Sequence, residues 1–436
     1  MTSDRWLVGW FLGYAAVGGA SLLYPLYALD FGAGPLLVGL LASTAALAGV
    51  PGAVLWGWLA ARTDRRRPFV LVALLTAGAV LLLTPLLDTP ETLLVGNATL
   101  WFVVSAAAPV LNLLMVEGVP ESEWNTRIGL LNAYQGYGWV AGLLLGTLWT
   151  TVLPGLVPAT GDVVLLFPVL GVVALLGAGV VAAFYPERSV VSVARFQRGY
   201  RRLSQGGWEG ARFLRTIPFG PGRLYWALRT RRAGDVDLGF TRPLRAYLLA
   251  VALFSTGFAA FWGPIPAFLT GEGFSDGGVF GLFLLANLGS ASLFTRVGRA
   301  TTHPLSLQSL ALAGRVVLFP AVAAGASLAV GRTLALAVCF LLIGVTWAVI
   351  AVTSTGLVTR LAPTAVRGNA LGAYTAVVGV GTAVGSILGG AVAAAAGYLL
   401  AFLGAALLVF LGAALALTTR DGGARGFSES VPNDRR

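Results

Sequence analysis

Arg315 is the one charged residue set deep inside a long apolar run, between Leu310-Ala311-Leu312-Ala313-Gly314 and Val316-Val317-Leu318-Phe319. A charge at that depth in a hydrocarbon setting is expensive and is a functional candidate by default. No acid stands at matching depth: Asp30, Glu272 and Asp276 fall at one set of span ends and Glu117 at the other. Its partner must then be carbonyls, amides, water or an anionic group carried by a ligand.

The other reactive residue types are scarce. All 29 basic side chains are arginine. Without lysine there is no phosphate-binding Gly-Lys-Ser/Thr loop and no Schiff-base chemistry. One cysteine, Cys339, excludes an internal disulfide, and one histidine, His303, argues against a histidine-based metal site. The run Gly379-Val380-Gly381-Thr382-Ala383-Val384 nearly spells a dinucleotide-binding turn, but it ends in valine and lies inside an apolar span with no strand before it. No cluster of carboxylates or histidines gathers at one depth, so neither an enzyme nor a cofactor is expected.

The elements that hold these residues are apolar helices. The chain is 57% hydrophobic and 11% charged, far from the roughly 25% charged of a soluble domain. Its apolar runs are continuous rather than alternating, which favours helices over a barrel. Each bilayer crossing takes roughly 20 apolar residues. The expected spans are 6–29, 36–61, 68–87, 93–117, 128–153, 163–185, 244–269, 277–294, 305–323, 334–358, 368–396 and 398–418. The first is longer than a signal-peptide core and reads as a retained helix. Both termini carry arginine, as do the gaps after the second, fourth, sixth, eighth and tenth spans. The gaps after the first, third, fifth, seventh and eleventh hold none, and Arg332 alone breaks the alternation. Arginine-rich loops stay in the cytoplasm. The expectation is an all-α, multi-pass protein of the cell membrane with both termini cytoplasmic.

Domain organisation follows from composition and from an internal repeat. Residues 1–185 form a first six-helix bundle, 186–243 a basic cytoplasmic linker, 244–419 a second bundle and 420–436 a disordered tail. Pro186 to Pro243 carries 12 arginines against four acids, a net +8 that holds most of the chain's +11. Phe196, Tyr200 and Leu203 recur there at helical spacing, followed by Trp208, Phe213, Tyr225 and Trp226. This reads as amphipathic helices drawn to anionic lipid on the inner leaflet. No nucleic-acid module is present, so nucleic acid is not expected as a partner. Under a shift of 243 residues, Pro120, Gly129, Gly136, Gly138, Gly142 and Gly146 fall on Pro363, Gly372, Gly379, Gly381, Gly385 and Gly389. Tyr24-Pro25-Leu26 likewise resembles Gly263-Pro264-Ile265. Parallel repeats of this kind relate two halves about an axis along the membrane normal.

With this layout, the segment Gly57-Trp58-Leu59-Ala60-Ala61-Arg62-Thr63-Asp64-Arg65-Arg66-Arg67 resembles the Gly-x-Leu-x-Asp-Arg-x-Gly-Arg-Arg/Lys signature of the major facilitator superfamily (MFS). Gly57, Leu59, Arg62, Arg65 and Arg66 match, while Ala61 replaces the signature aspartate and Asp64 its second glycine. The resemblance implies twelve transmembrane helices in two six-helix pseudo-repeats. It also implies an inner gate in which Arg65 pairs with Glu117 at the cytoplasmic end of the fourth helix. The bland alternative for the arginine turn is an orientation signal alone.

Several residues sit at or near the depth of a cavity between such halves: Tyr24, Asn112, Gln135, Tyr137, Trp262, Asn287 and Trp347, with Arg315. Each singly suits packing or an interhelical hydrogen bond. Together they describe a mostly neutral, aromatic cavity. The resemblance makes the ninth helix peripheral, so Arg315 is expected to brace its neighbours through carbonyls or Asn287 rather than face the cargo. The usual buried proton carrier has no counterpart. Gly138, Gly142 and Gly146, mirrored by Gly381, Gly385 and Gly389, let helices approach closely. They serve either packing or a contact on which two halves rock. The family's antiporter signature carries a proline where Leu143 stands.

The resulting expectation is a monomeric secondary transporter. It moves a small molecule by alternating access, with no resident cofactor and with a coupling ion as a partner. Efflux of a lipophilic or drug-like compound comes first, uptake of a small organic solute second, and a membrane-embedded sensor without transport third.

Overall fold

The computed structural model describes residues 4–60, 67–116, 120, 123–155, 162–185, 240–293, 297, 303–363 and 366–419. Of the expected linker only residues 240–243 are described, and the tail 420–436 lies outside the described residues, as do Arg62, Arg65, Arg66 and Glu117. The helices are α1 (Trp6–Asp30), α2 (Pro35–Ala60), α3 (Arg67–Leu83), α4 (Pro90–Val116), α5 (Trp124–Thr151), α6 (Val163–Phe184), α7 (Arg242–Trp262) with a short continuation Ile265–Gly271, α8 (Asp276–Ala291), α9 (Pro304–Ala326), α10 (Arg332–Leu361), α11 (Arg367–Ala396) and α12 (Tyr398–Leu417). Among the described residues, ten helices are long and apolar enough to cross a membrane, and Pro35–Gly49 and α8 are shorter apolar helices.

Local chemistry sets where these helices begin. Asp162 accepts from the Val164 N–H at 2.9 Å at the start of α6, and Ser275 accepts from the Gly278 N–H at 3.3 Å at the start of α8. Thr241 accepts from the Leu244 N–H at 3.4 Å, ahead of Pro243 in the first turn of α7. Such side-chain oxygens satisfy amide groups that a helix start leaves without partners. Inside the spans, hydroxyls turn back onto their own helix: Thr147 donates to the Leu143 carbonyl at 2.9 Å and Thr353 to the Val349 carbonyl at 2.8 Å. Each thereby avoids presenting an unsatisfied hydroxyl to hydrocarbon.

The span expected at 244–269 is present as Arg242–Gly271, with the helix interrupted at Gly263-Pro264. Gly263 closes α7 by donating to Ala259, and Ile265–Gly271 starts anew beyond Pro264. Proline has no N–H and its ring crowds the carbonyl four residues back, here that of Ala260. That carbonyl faces Gly389 of α11, where a Cβ would collide with it. The missing side chain lets α11 lie against the break.

The 243-residue shift reappears as equivalent packing. Gly138 of α5 meets the Phe11 carbonyl and Tyr14 of α1, and Gly381 of α11 meets Ser255 and the Ala252 carbonyl of α7. Gly142 meets the Ala15 carbonyl, and Gly385 meets the Thr256 carbonyl. Gly9 of α1 packs on Gly177 and Val181 of α6, as Gly257 of α7 packs on Ala405 and Val409 of α12. Two groups of six helices therefore repeat one packing scheme, α1–α6 and α7–α12.

The halves meet each other at one end. Gly39 of α2 lies against Ser386 and Gly390 of α11, and Gly390 against Pro35 and Leu36. Gly146 of α5 accommodates the Phe280 ring of α8, and Gly277 of α8 faces Thr150 and Thr151. All of these residues lie toward the end where α1 and α5 finish and α2 and α8 begin, opposite the start of α1.

Candidate functional site: a cleft between the halves

A cleft with about 1080 Å³ of non-atom space, its open mouth included, lies between the two groups of helices. The first half contributes Ser21 and Leu22 from α1 and Trp139 and Leu143 from α5. The second half supplies the rest, including the aromatics Phe254, Phe258 and Trp262 from α7, Phe283 from α8 and Trp347 from α10. Trp262 packs edge-on against Phe283 at 5.1 Å and against Phe340 at 5.7 Å. Polar groups are few and spaced apart: Ser255, Asn287, Ser290, Ser354, Tyr374 and Thr382. Apolar walls with a small number of placed polar groups are the usual make-up of a small-molecule site.

Arg315 lines this cleft and is 1% exposed. Its Nε donates to the Thr346 hydroxyl at 3.1 Å and its Nη2 to the Ile343 carbonyl at 3.1 Å, both on α10. The Phe258 ring centroid lies 4.1 Å from the guanidinium carbon, with Trp347 at 5.5 Å and Phe319 at 5.8 Å. Aromatic faces attract a cation by about 0.5–2 kcal/mol each, more when desolvated. Nη1 is buried and has no hydrogen-bond partner among the described residues. Arg315 thus both ties α9 to α10 and forms part of the cleft wall. The expected tie to Asn287 is not made: that amide donates to the Phe283 carbonyl of its own helix at 2.9 Å.

The other residues expected at the cavity divide. Trp262, Asn287 and Trp347 line it. Tyr24 is instead enclosed within the first half, its hydroxyl 2.7 Å from that of Thr84 and its ring 5.1 Å from Phe167. Gln135 is buried at 1% exposure away from the lining, and its Oε1 has no partner among the described residues. Tyr137 points outward at 66% exposure. Asn112 lies on α4, with its side chain outside the described residues, and Gly57 lies on α2 in the same position.

At the cleft wall, three buried groups, among them the lining residue Ser354, form a polar knot that sequence alone did not single out. Tyr247 of α7 donates to Gln308 Oε1 at 3.0 Å, and Gln308 of α9 donates through Nε2 to Ser354 of α10 at 2.6 Å. A lone glutamine four positions inside an apolar span was the available signal. In the first half, Asn97 of α4 donates to the Leu41 carbonyl at 2.9 Å and to Thr44 at 2.7 Å, fixing α4 to α2.

Among the described residues, twelve apolar helices in two equivalent groups around a central cleft define a membrane-spanning carrier. Residues 6–378 match the model of the Major Facilitator Superfamily, and the chain belongs to that family. It is a transporter rather than an enzyme. Among solved structures, the nucleoside transporter NupG is 13% identical, covers 96% of this chain and 98% of its own, and superposes with a TM-score of 0.63. A bacterial homologue of the human lysosomal transporter Spinster, in an inward-facing and occupied conformation, is 13% identical with a TM-score of 0.66, covering 96% of each chain. At these identities the likeness is one of fold. No curated protein sequence matches the chain.

Proposed function

We propose that this protein is a secondary transporter of the cell membrane that exports an amphipathic, lipophilic compound by alternating access of its central cleft. The observation that carries the reading is the cleft itself, walled by helices of both halves and rich in aromatic side chains. Any rocking of one half on the other changes its access. The halves touch at the end opposite the start of α1, so with both termini in the cytoplasm the state described is inward-facing, the loading state of an exporter. The glycines at Gly39, Gly146, Gly277 and Gly390 are the outer closure in this reading. Arg65 and Glu117, with Gly57, Arg62 and Arg66, form the inner gate that closes when the outer end opens. The acids all lie at span ends or in loops, so a coupling proton or sodium ion binds without a buried carboxylate at cleft depth.

The test is transport by the purified full chain in liposomes, with imposed proton and sodium gradients and a panel of amphipathic and hydrophilic compounds. Gradient-driven, saturable movement of an amphipathic compound is the expected result. Movement of hydrophilic solutes alone would replace export of lipophilic cargo with solute transport, and gradient-independent exchange would remove the coupling ion.

A further inference from the structure

The unpartnered edge of Arg315 has a physical consequence for the cargo. Among the described residues every acid lies at a helix end or in a turn, and none stands at the centre of α9. A guanidinium offers five N–H donors. Here one goes from Nε to Thr346, one from Nη2 to Ile343, and Nη1 gives none to any described residue. Thr346 is itself engaged with the Ile343 carbonyl at 2.8 Å, so α10 has little further acceptor capacity at this point. Phe258 covers a face of the cation without satisfying its N–H groups.

A positive charge held this way, 1% exposed on the wall of a cleft, is a costly arrangement for bracing alone. A neutral donor would tie two helices together without burying a charge. The remaining donors suit an anion, and the surrounding Phe254, Phe258, Trp262 and Trp347 suit an apolar body attached to it. We infer that Arg315 is the recognition site for an organic carboxylate with an aromatic or similarly apolar body, held by charge-assisted hydrogen bonds to the free edge of the guanidinium. This rests on the cleft being the cargo site and assigns the cargo its charge. Carboxylate binding neutralises the buried cation at the moment the cleft is filled, so the occupied and empty states of the protein differ in the charge at its centre.

Two probes of one shape separate charge from bulk: 2-naphthoate and its neutral carboxamide, 2-naphthamide. Calorimetric titration of the purified full chain should show naphthoate binding at least about tenfold more tightly, because each 1.4 kcal/mol of added interaction is tenfold in affinity. Arg315→Gln should abolish the preference with naphthamide affinity nearly unchanged, and Arg315→Lys should keep part of it. Trp347→Leu should weaken both ligands together. Equal affinities in the unmodified chain, or absence of naphthoate binding, overturn the inference whether or not the Gln variant folds. A Gln variant that folds and still prefers naphthoate does the same. Liposome transport keeps the two readings apart. Carboxylate-selective binding without any movement sinks transport and leaves the site. Gradient-driven movement that ignores the charge sinks the site and leaves transport.

Discussion

At the scale of single residues, buried polar groups in this fold are tied to neighbouring helices, and their cost shows where a partner is missing. Gln308 is fully buried, and both ends of its amide are used by Tyr247 and Ser354. Tyr247→Phe keeps the ring and removes the hydroxyl, leaving Gln308 Oε1 in an apolar setting without a donor. An orphaned buried acceptor costs about 1–3 kcal/mol. The variant should therefore melt at a lower temperature than the unmodified protein in the same detergent. Tyr247→Phe with Gln308→Leu should recover part of the loss, since the orphaned amide oxygen is removed and only the Ser354 hydroxyl loses a partner. Unchanged melting of the single variant would mean that the knot contributes nothing. Gln308 was not singled out in the sequence because one amide in an apolar span carries no pattern, whereas Arg315 stood out by its charge.

At the scale of elements, the contact of α5 with α8 is where closure can be tested directly. A Cβ at Gly281 would lie 3.9 Å from Thr147 Cγ2, so the two positions face each other across α5 and α8. Thr147→Cys with Gly281→Cys, in a Cys339→Ala background, should cross-link under mild oxidation and stop transport, and reduction should restore it. Full transport by the cross-linked protein would show that this contact does not open during the cycle. The inner gate proposed at Arg65 and Glu117 makes a complementary prediction. Arg65→Glu and Glu117→Arg should each impair transport, and the double swap should restore part of it. An exposed pair contributes only about 0–1 kcal/mol, so a large coupling requires the pair to be desolvated when the inner end closes. Additive effects of the two reversals would uncouple the residues.

The same scale explains what the sequence could and could not reveal. Apolar length and the glycine repeat are one-dimensional, and they carry over directly to the apolar helices among the described residues and to matched packing of Gly138 with Gly381 and Gly142 with Gly385. Which way a side chain points around a helix is different. These helices are apolar on nearly every side, because lipid and protein interior are alike to leucine, so no polar face marks the cleft. Tyr24 and Trp262 look alike by depth and residue type, yet one is packed behind α1 and the other lines the cleft. The second half's dominance of the lining was equally hidden, since both halves carry aromatics on their first helices. The break at Pro264 was legible in its Gly-Pro pair, but continuous hydropathy concealed it.

At the scale of the whole molecule, the orientation of the two ends decides the direction in which the described state is open. The alternation of arginine across the gaps has one exception, and the structure gives that exception a local role. Arg332 at the start of α10 donates to the Glu272 carbonyl at 3.1 Å and lies 5.0 Å from the Phe274 ring, joining the α7–α8 turn to α10. It is engaged by protein at the closed end, so its positive charge is less available as a topological signal. In the orientation proposed from the remaining arginine-rich gaps, the start of α1 and the central basic segment lie in the cytoplasm. In a Cys339→Ala background, Asp88→Cys should react with an impermeant thiol reagent added to intact cells, and Arg202→Cys should react only after permeabilisation. Labelling of both in intact cells, or the reverse pattern, would overturn the orientation. It would also convert the state described from inward-facing to outward-facing, because the closure at Gly39, Gly146, Gly277 and Gly390 lies on the Asp88 side. The cleft, and Arg315 with it, would then be a site loaded from outside, and export would give way to uptake as the reading that the same geometry supports.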